Sequence, residues 1–198
     1  MTFKNKRKVL KSIRKPERHW VGNGFFVHGL LRPNNELNKF ISPFIMLDYA
    51  SPMEFKKTEE DLRGVGEHPH RGFETVTFAY QGEIQHKDSS GGGGLIKPGD
   101  VQWMTAGKGL VHTEFHSKEY SKKGGLFEMV QLWINLPKSR KMTKPKYQAI
   151  IKQNIPIIEQ DQVSLRVISG EYKDVNGPAK TFTNLNIFDF KEKKKGRL

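Results

Sequence analysis

Two short clusters of metal-ligand residues stand out in the middle of the chain. The first, His-Pro-His, contains His68 and His70, and the second, His-Thr-Glu, contains His112 and Glu114. Because successive side chains of a β-strand point to opposite faces, residues two positions apart project the same way. If two strands bring these pairs together inside a barrel, three imidazoles and one carboxylate converge on one point. The spacing therefore predicts a metal site formed by these four residues.

This donor set favours a borderline divalent metal such as Fe, Mn, Co, Ni, Cu or Zn over Ca and Mg, which prefer more oxygen ligands. Four protein ligands around an octahedral ion leave two positions open for water, a chelating substrate or O₂. The alternative, ordinary surface or turn histidines, would be favoured if the chain held a lone His-x-His motif. The second pair, in a strand-rich block, favours metal binding. The chain has no cysteine, so any metal must be held by His, Asp or Glu.

Two neighbouring residues add local detail to this prediction. Pro69 cannot donate a hydrogen bond to a sheet ladder, so the first pair is expected at a strand start or a bulge. His116 shares the predicted strand face of His112 and Glu114, so we expect it at the rim of the pocket.

Short strands must position these residues. Apolar and alternating runs predict strands at 73–80, 82–88, 95–105, 110–116 and 127–136, and no helical periodicity competes with them. Glycine and proline between the strands favour a β-barrel or sandwich. The four glycines at 91–94 are expected to form a hairpin loop rather than a phosphate cradle, because strand and turn, not a helix, are predicted after them.

The two ends of the chain are less regular. Residues 1–19 predict a basic arm or an edge strand. After Leu136 a basic connector leads to weaker strands predicted at 147–151, 162–169 and 180–190.

The overall charge is strongly basic, with 34 Lys and Arg against 21 Asp and Glu and a net charge of +13. Much of it lies near the termini and at 138–146, and such runs are usually solvated surface, so specific nucleic-acid binding is not expected. No apolar segment follows the basic N-terminus, and none approaches the about 18 apolar residues of a membrane span. We therefore predict a cytoplasmic protein that does not bind membranes.

Three longer motifs carry a family resemblance: HPHRGFETVTFAYQGEIQHKDS, PGDVQWMTAGKGLVHTE and QLWINLP. Together they resemble the N-terminal cupin domain of the pirin family, from about residue 14 to about residue 170. The resemblance implies an all-β fold, a cupin double-stranded β-helix or jelly-roll barrel. It also implies that His68, His70, His112 and Glu114 bind a single iron, Fe(2+), with another divalent transition metal as the alternative.

The resemblance also implies a domain organisation. Residues 1–136 are expected to form the metal-binding cupin domain. Pirin-like chains usually continue into a complete second cupin domain, so residues 137–198 are expected to form a connector and an incomplete second β unit. Exposed sheet edges of such a unit invite pairing with a partner or a second copy.

Set against the general cupin pattern, the first motif keeps the spacing His-x-His-x₃-Glu with Glu74, while Glu114 is the carboxylate ligand that the pirin pattern implies. Glu74 is then expected either to support the metal ligands or to form a surface salt bridge. A set of large side chains is expected mostly in the barrel core, with one or two lining the pocket: Phe73, Phe78, Trp103, Phe115, Met129 and Trp133.

The function implied by the resemblance is a quercetin 2,3-dioxygenase that takes a small flavonol-like aromatic and O₂. Glu114 would then act as the catalytic residue that accepts the proton of the substrate hydroxyl. The alternative is a non-enzymatic, iron-binding and redox-responsive transcriptional co-regulator with a protein partner.

Overall fold

A computed structural model describes residues 9, 11–33, 36–60 and 62–193, and in these residues the chain forms sixteen strands and two short α-helices. The helices are α1 (Asn38–Ile41) and α2 (Lys118–Lys123). In chain order the strands are β1 (Arg18–Val21), β2 (Phe25–Leu31), β3 (Phe44–Phe55), β4 (Gly64–His70), β5 (Phe73–Gln81), β6 (Ile84–Asp88), β7 (Gly93–Ile96), β8 (Val101–Thr105), β9 (Leu110–His116), β10 (Gly125–Asn135), β11 (Lys146–Ile150), β12 (Ile157–Glu159), β13 (Val163–Ser169), β14 (Glu171–Tyr172), β15 (Val175–Asn176) and β16 (Ile187–Glu192).

Two antiparallel sheets form the barrel. A seven-stranded sheet has the order β1-β2-β3-β10-β5-β8-β11, and a four-stranded sheet has the order β4-β9-β6-β7. The predicted all-β cupin barrel is therefore confirmed. Of the basic arm or edge strand predicted at 1–19, Arg18 and His19 belong to β1, which is an edge strand of the seven-stranded sheet. Residues 9 and 11–17 form no strand, and residues 1–8 and 10 lie outside the described residues.

The apolar core lies in two layers on either side of the seven-stranded sheet. The inner layer fills the barrel and joins Ile84 and Ile96 of the four-stranded sheet to Phe25, Phe127 and other side chains of the larger sheet. Successive side chains along each strand alternate between the inner and the outer face of the sheet, so each strand contributes to both layers. The outer face of the seven-stranded sheet is apolar as well, so it also needs a cover.

The C-terminal β unit, residues 155–193, supplies that cover. Its three-stranded sheet has the order β12-β13-β16, and β14 pairs with β15. Ile168 and Ile187 from this unit pack in one cluster with Val76, Phe78 and Trp103 of the barrel sheet. The boundary at residue 136 stays a prediction. Of the three weaker strands that the sequence predicts, 147–151 corresponds to β11, which extends the barrel sheet, and 162–169 corresponds to β13. Of the third, 180–190, only the last four residues form a strand, at the start of β16, whereas 180–186 do not.

The helix α2 was not predicted, because it depends on its ends rather than on an apolar period. The Ser117 side chain accepts a hydrogen bond from the Tyr120 backbone N–H at 3.0 Å and so caps the first turn. Gly124 ends the helix at φ 69°, a conformation that favours glycine, and donates to the Tyr120 carbonyl. Among the described residues, no helix has both the length and the apolar character needed to cross a membrane.

Candidate metal centre

The two predicted ligand pairs lie on adjacent strands of the four-stranded sheet. β4 and β9 are antiparallel neighbours, and their register places His68 opposite His112 and His70 opposite Leu110. The register shifts between Val65 and His68, so the expected bulge next to the motif is confirmed. The expected strand start is wrong, because β4 ends at His70 rather than beginning there.

Three of the predicted ligands form one compact cluster. The ring centroids of His68, His70 and His112 are 4.2 to 4.8 Å apart, and each ring offers a nitrogen within 4.8 Å of the others. His70 and His112 are buried, whereas His68 is half-buried at the edge of the cavity. Three imidazoles at this spacing are a donor set suited to a divalent metal.

The hydrogen bonds of the cluster leave ligand atoms unused. His68 contacts the Gly66 carbonyl through Nδ1 at 2.8 Å, and His112 contacts His86 Nδ1 through its own Nδ1 at 3.1 Å. Among the described residues, Nε2 of His112 is buried without a hydrogen-bond partner. A buried ring nitrogen is normally satisfied, so this orphaned atom indicates that a metal fits here.

The electrostatics of the cluster keep two of its rings neutral. Burial lowers the pKa of His70 to about 3, and the neighbouring imidazoles of His112 and His68 lower it further, against the opposing charge of Glu114. Burial likewise lowers the pKa of His112 to about 3, assisted by His68 and His86. Metal binding requires unprotonated imidazole, so both rings are held in the form that can bind.

Glu114 lies in a second group that shares His112. Potential ligand atoms of His86, His112 and Glu114 also lie within 4.8 Å of one another, while His68 and His70 belong to the first group. Each Glu114 carboxylate oxygen accepts one amide hydrogen bond, from Gln102 and from Gln131, both at 3.0 Å. Glu114 lines the same cavity as His68 and His70. A single site with all four ligands stays a prediction.

His86 and Asp88 are the site residues that the sequence reasoning missed. His86 is fully buried, and its Nε2 lies 3.1 Å from Asp88 Oδ2 while its Nδ1 contacts His112. Burial would raise the pKa of the Asp88 carboxyl, but hydrogen bonds from Ser90, His86 and Gly92 outweigh it and hold the pKa below its usual value. The available signal was alternation, since Ile84, His86 and Asp88 share one face of a predicted strand.

A cavity of about 500 Å³ opens onto the ligand cluster. Phe73 and Trp133 stack with centroids 4.5 Å apart and form one wall, and the His70 ring stands edge-on to both at 5.0 and 5.1 Å. Other side chains around the cavity are Val21, Phe25, Val27, Met46, Asp48, Val65, Arg71, Met129 and Gln131. Most of this surface is apolar, which suits a flat aromatic ligand.

The predicted positions of the six large side chains are only partly correct. Three of them, Phe73, Met129 and Trp133, line the cavity, where one or two were expected. Trp103 and Phe78 are buried as expected but outside the barrel, against the C-terminal β unit, because they project from the outer face of the seven-stranded sheet. Phe115 is half-buried rather than part of the core.

Two predicted supporting roles are wrong. His116 is buried, contacts the Gly24 carbonyl through Nε2 at 3.0 Å and packs against Phe25, Phe55 and Phe127, so it is not at the pocket rim. Glu74 is 1% exposed and accepts a hydrogen bond from Thr105 at 2.6 Å.

By strand alternation Glu74 shares the outer face of β5 with Val76 and Phe78, so it neither supports the ligands nor lies at the surface. Burial raises its pKa above the usual value.

Comparison with known proteins gives the same architecture. A crystal structure of a quercetin 2,3-dioxygenase from Acinetobacter baumannii superposes with a TM-score of 0.89 at 57% identity, covering 92% of this chain and 64% of that one. The Pseudomonas aeruginosa protein named "Putative quercetin 2,3-dioxygenase PA2418" is 51% identical over 185 residues, which are 92% of this chain and 64% of the relative. Pirin-1 of Arabidopsis thaliana is 43% identical over 152 residues, covering 77% of this chain and 48% of the relative.

The chain thus spans between about half and two thirds of the length of these relatives. The family model for pirin matches residues 27–134, a stretch that runs from β2 to β10 and contains every predicted ligand. With more than half of its residues matched and its fold shared with a structure at 57% identity, this chain belongs to the pirin family.

Proposed function

We propose that this chain is a metal-dependent dioxygenase of the quercetin 2,3-dioxygenase type, acting on a flavonol-like aromatic and O₂. The observation that carries the proposal is an apolar cavity of about 500 Å³ with His68, His70 and Glu114 in its lining. Cavities for small organic ligands typically measure about 300 to 1,000 Å³ and combine apolar walls with a few polar groups. The names of the Pseudomonas and Acinetobacter relatives support the same reaction class.

The metal we propose is Fe(2+), held by His68, His70 and His112, with Glu114 as a fourth ligand. When bound, the metal supplies Lewis-acid activation and a template for substrate and O₂. Another divalent transition metal would fit the same nitrogen-rich donor set. We also propose the cytoplasm as the location of the protein.

The chain's own residues contribute binding and proton transfer. The stacked pair of Phe73 and Trp133 offers an aromatic face to a planar ligand. Glu114 is the group we assign to accept the proton of the substrate hydroxyl. Amide donors from Gln102 and Gln131 hold its carboxylate in place beside the cavity, so the acceptor is oriented before substrate binds.

The test is turnover by protein of defined metal content. The purified chain is stripped with a chelator, reloaded anaerobically with Fe(II), and mixed with quercetin while flavonol absorbance and O₂ uptake are recorded together. We expect coupled consumption of both substrates. The His70→Ala variant should lose metal and turnover by more than about 100-fold, because a direct ligand is removed. Thr113→Ala is the matched control, since Thr113 lies between two predicted ligands on β9 but faces Lys87 instead of the cavity.

The outcomes separate the two functional hypotheses. Bound metal without consumption of any flavonol or catechol would favour the non-enzymatic, redox-responsive regulator with a protein partner. Failure of the Fe(II)-reloaded chain to hold metal would contradict both hypotheses.

A further inference from the structure

Three buried side chains form a continuous line that ends at the ligand cluster. Asp88 Oδ2 lies 3.1 Å from His86 Nε2, and His86 Nδ1 lies 3.1 Å from His112 Nδ1. All three residues are at most 7% exposed. Both ring nitrogens of His86 are therefore engaged, so His86 is a link between Asp88 and His112 rather than a free metal ligand.

The hydrogen-bond donors around Asp88 show that the proton between Asp88 and His86 lies on His86. Asp88 Oδ1 accepts hydrogen bonds from the Ser90 backbone N–H at 2.8 Å, the Ser90 hydroxyl at 2.7 Å and the Gly92 backbone N–H at 3.0 Å. A carboxylate surrounded in this way is an acceptor only. The bond between Asp88 and His86 therefore uses a proton on His86 Nε2.

The remaining proton follows from the chemistry of imidazole. A neutral ring carries one N–H, so His86 with its proton on Nε2 has a lone pair on Nδ1. The contact between the two Nδ1 atoms then requires a proton from His112. With both rings neutral, this geometry puts the proton of His112 on Nδ1 and leaves the lone pair on its buried and unpartnered Nε2.

We propose that Asp88 and His86 are positioning residues that fix the tautomer of His112 so that Nε2 is free to bind the metal. The opposite tautomer would place a proton on Nε2 and prevent binding at that atom. Tyr147 stacks on the His86 ring with centroids 4.9 Å apart and planes 18° apart, which fixes the orientation of the link. The inference rests on the proposed function only in requiring that the cluster binds metal.

The direct test is the tautomer of His112 in the metal-free wild-type chain. Two-bond ¹H–¹⁵N correlation spectra of ¹⁵N-histidine-labelled protein distinguish a protonated Nδ1 from a protonated Nε2. We expect Nδ1–H for His112 and Nε2–H for His86. A proton on His112 Nε2 in the wild type would overturn the proposal, and this measurement needs no variant.

The variant Asp88→Asn tests the cause. The new amide keeps an oxygen for Ser90 and Gly92 but presents an N–H to His86 Nε2. His86 must then donate from Nδ1, His112 Nδ1 must accept, and the His112 proton moves to Nε2. We expect this switch in the spectrum. We also expect the affinity for Ni(II), a redox-stable probe, to fall about 10–100-fold in titration calorimetry, which is the usual effect of losing a residue that supports a metal ligand.

Ser90→Ala is the matched control, because it removes only the hydroxyl donor to Asp88 and leaves the carboxylate with its two backbone N–H donors, from Ser90 and Gly92, in place. It should retain the wild-type tautomers and an affinity for Ni(II) close to the wild type. An unchanged His112 tautomer in Asp88→Asn, or a switched tautomer with undiminished Ni(II) affinity, would contradict the proposal. None of these measurements uses quercetin, so a failure of dioxygenase activity would be distinguishable from a failure of this inference.

Discussion

At the scale of single residues, burial gives the histidines of this site their chemistry. His70 and His112 are buried and lie beside other imidazoles, which lowers the pKa of each to about 3. The pKa of an exposed imidazole is about 6.5, so such a side chain is partly protonated around neutral pH. The cavity therefore supplies unprotonated nitrogens across the physiological pH range, beside an aromatic wall that can hold a planar ligand.

Trp133, in the aromatic wall of the cavity, is predicted to contribute to the binding of the substrate. Replacing Trp133 by Ala removes the ring that stacks on Phe73, and we expect the KM for quercetin to rise about tenfold, since an aromatic contact contributes about 0.5–1.5 kcal/mol beyond the area it buries. Metal content, measured by elemental analysis, should not change. The Trp133→Phe variant keeps a ring at this position and should stay near the wild-type KM. An unchanged KM in Trp133→Ala would argue against this wall as the binding surface.

At the scale of elements, the close approach of β4 and β9 aligns the ligands. Gly64 lies at the start of β4, and a Cβ there would be 2.1 Å from the Glu114 carbonyl oxygen and 2.6 Å from the Phe115 Cα. Both are backbone atoms that cannot move without shifting β9. Only glycine lets the strands approach this closely just before the irregular pairing that aligns His68 with His112.

Gly64→Ala is therefore predicted to disturb stability and metal binding together. We expect a loss of about 1–3 kcal/mol in the free energy of unfolding, the usual cost of overpacking, and a weaker affinity for Fe(II). Chemical denaturation and anaerobic metal titration measure the two effects. Gly66→Ala in the same strand is the control, because a Cβ at Gly66 meets no atom within 4 Å. Equal behaviour of the two variants would contradict the role of the close approach.

The far end of β9 carries a pH-dependent contribution to stability. Burial lowers the pKa of His116 to about 4, although its hydrogen bond to Gly24 acts in the opposite direction. In the unfolded chain the pKa of an imidazole is about 6.5. Between these values the unfolded chain binds a proton that the folded chain does not, so the contribution is present above pH 6.5 and is lost as the pH falls towards 4, by up to about 1.4 kcal/mol per pH unit.

The His116→Phe variant isolates this effect. Phenylalanine keeps a ring among Phe25, Phe55 and Phe127 but does not titrate. Urea denaturation of the metal-free protein should show a smaller loss of stability between pH 7 and 5 in the variant than in the wild type. Parallel pH profiles for the two proteins would show that His116 does not contribute.

At the scale of the whole molecule, the barrel and the C-terminal β unit share one apolar cluster. Trp103 and Phe78 on the outer face of the barrel sheet pack with Ile168, Leu185 and other side chains of the C-terminal unit. β11 also extends the barrel sheet beyond residue 136. Because this contact is extensive and apolar, the free energies of the two parts are coupled, and we expect a single cooperative unfolding transition.

Ile168→Ala tests this coupling. Ile168 is fully buried in the shared cluster, so its truncation should cost about 2–5 kcal/mol and lower the Tm of the entire chain in one transition. Ile157→Ala in the same unit is the control, since Ile157 is 53% exposed and its loss should change stability by no more than about 0.5 kcal/mol. Calorimetry that resolved two transitions, with only one of them shifted, would contradict the coupling.

The amino-acid sequence alone determined the alternation of short strands, the two ligand pairs and the family motifs, because these depend on local spacing along one strand at a time. It therefore predicted the all-β barrel and the residues that meet in the histidine cluster. Only the tertiary structure decided which strand faces are inside. The register of β5 and β8 puts Glu74 and Trp103 on the outer face of the barrel sheet, where the C-terminal β unit packs against Trp103. His116 shares a face with His112 but reaches the aromatic core. The support that His112 receives from His86 and Asp88 was likewise hidden, since it requires β6 to pair with β9, and pairing between strands is a property of the folded chain.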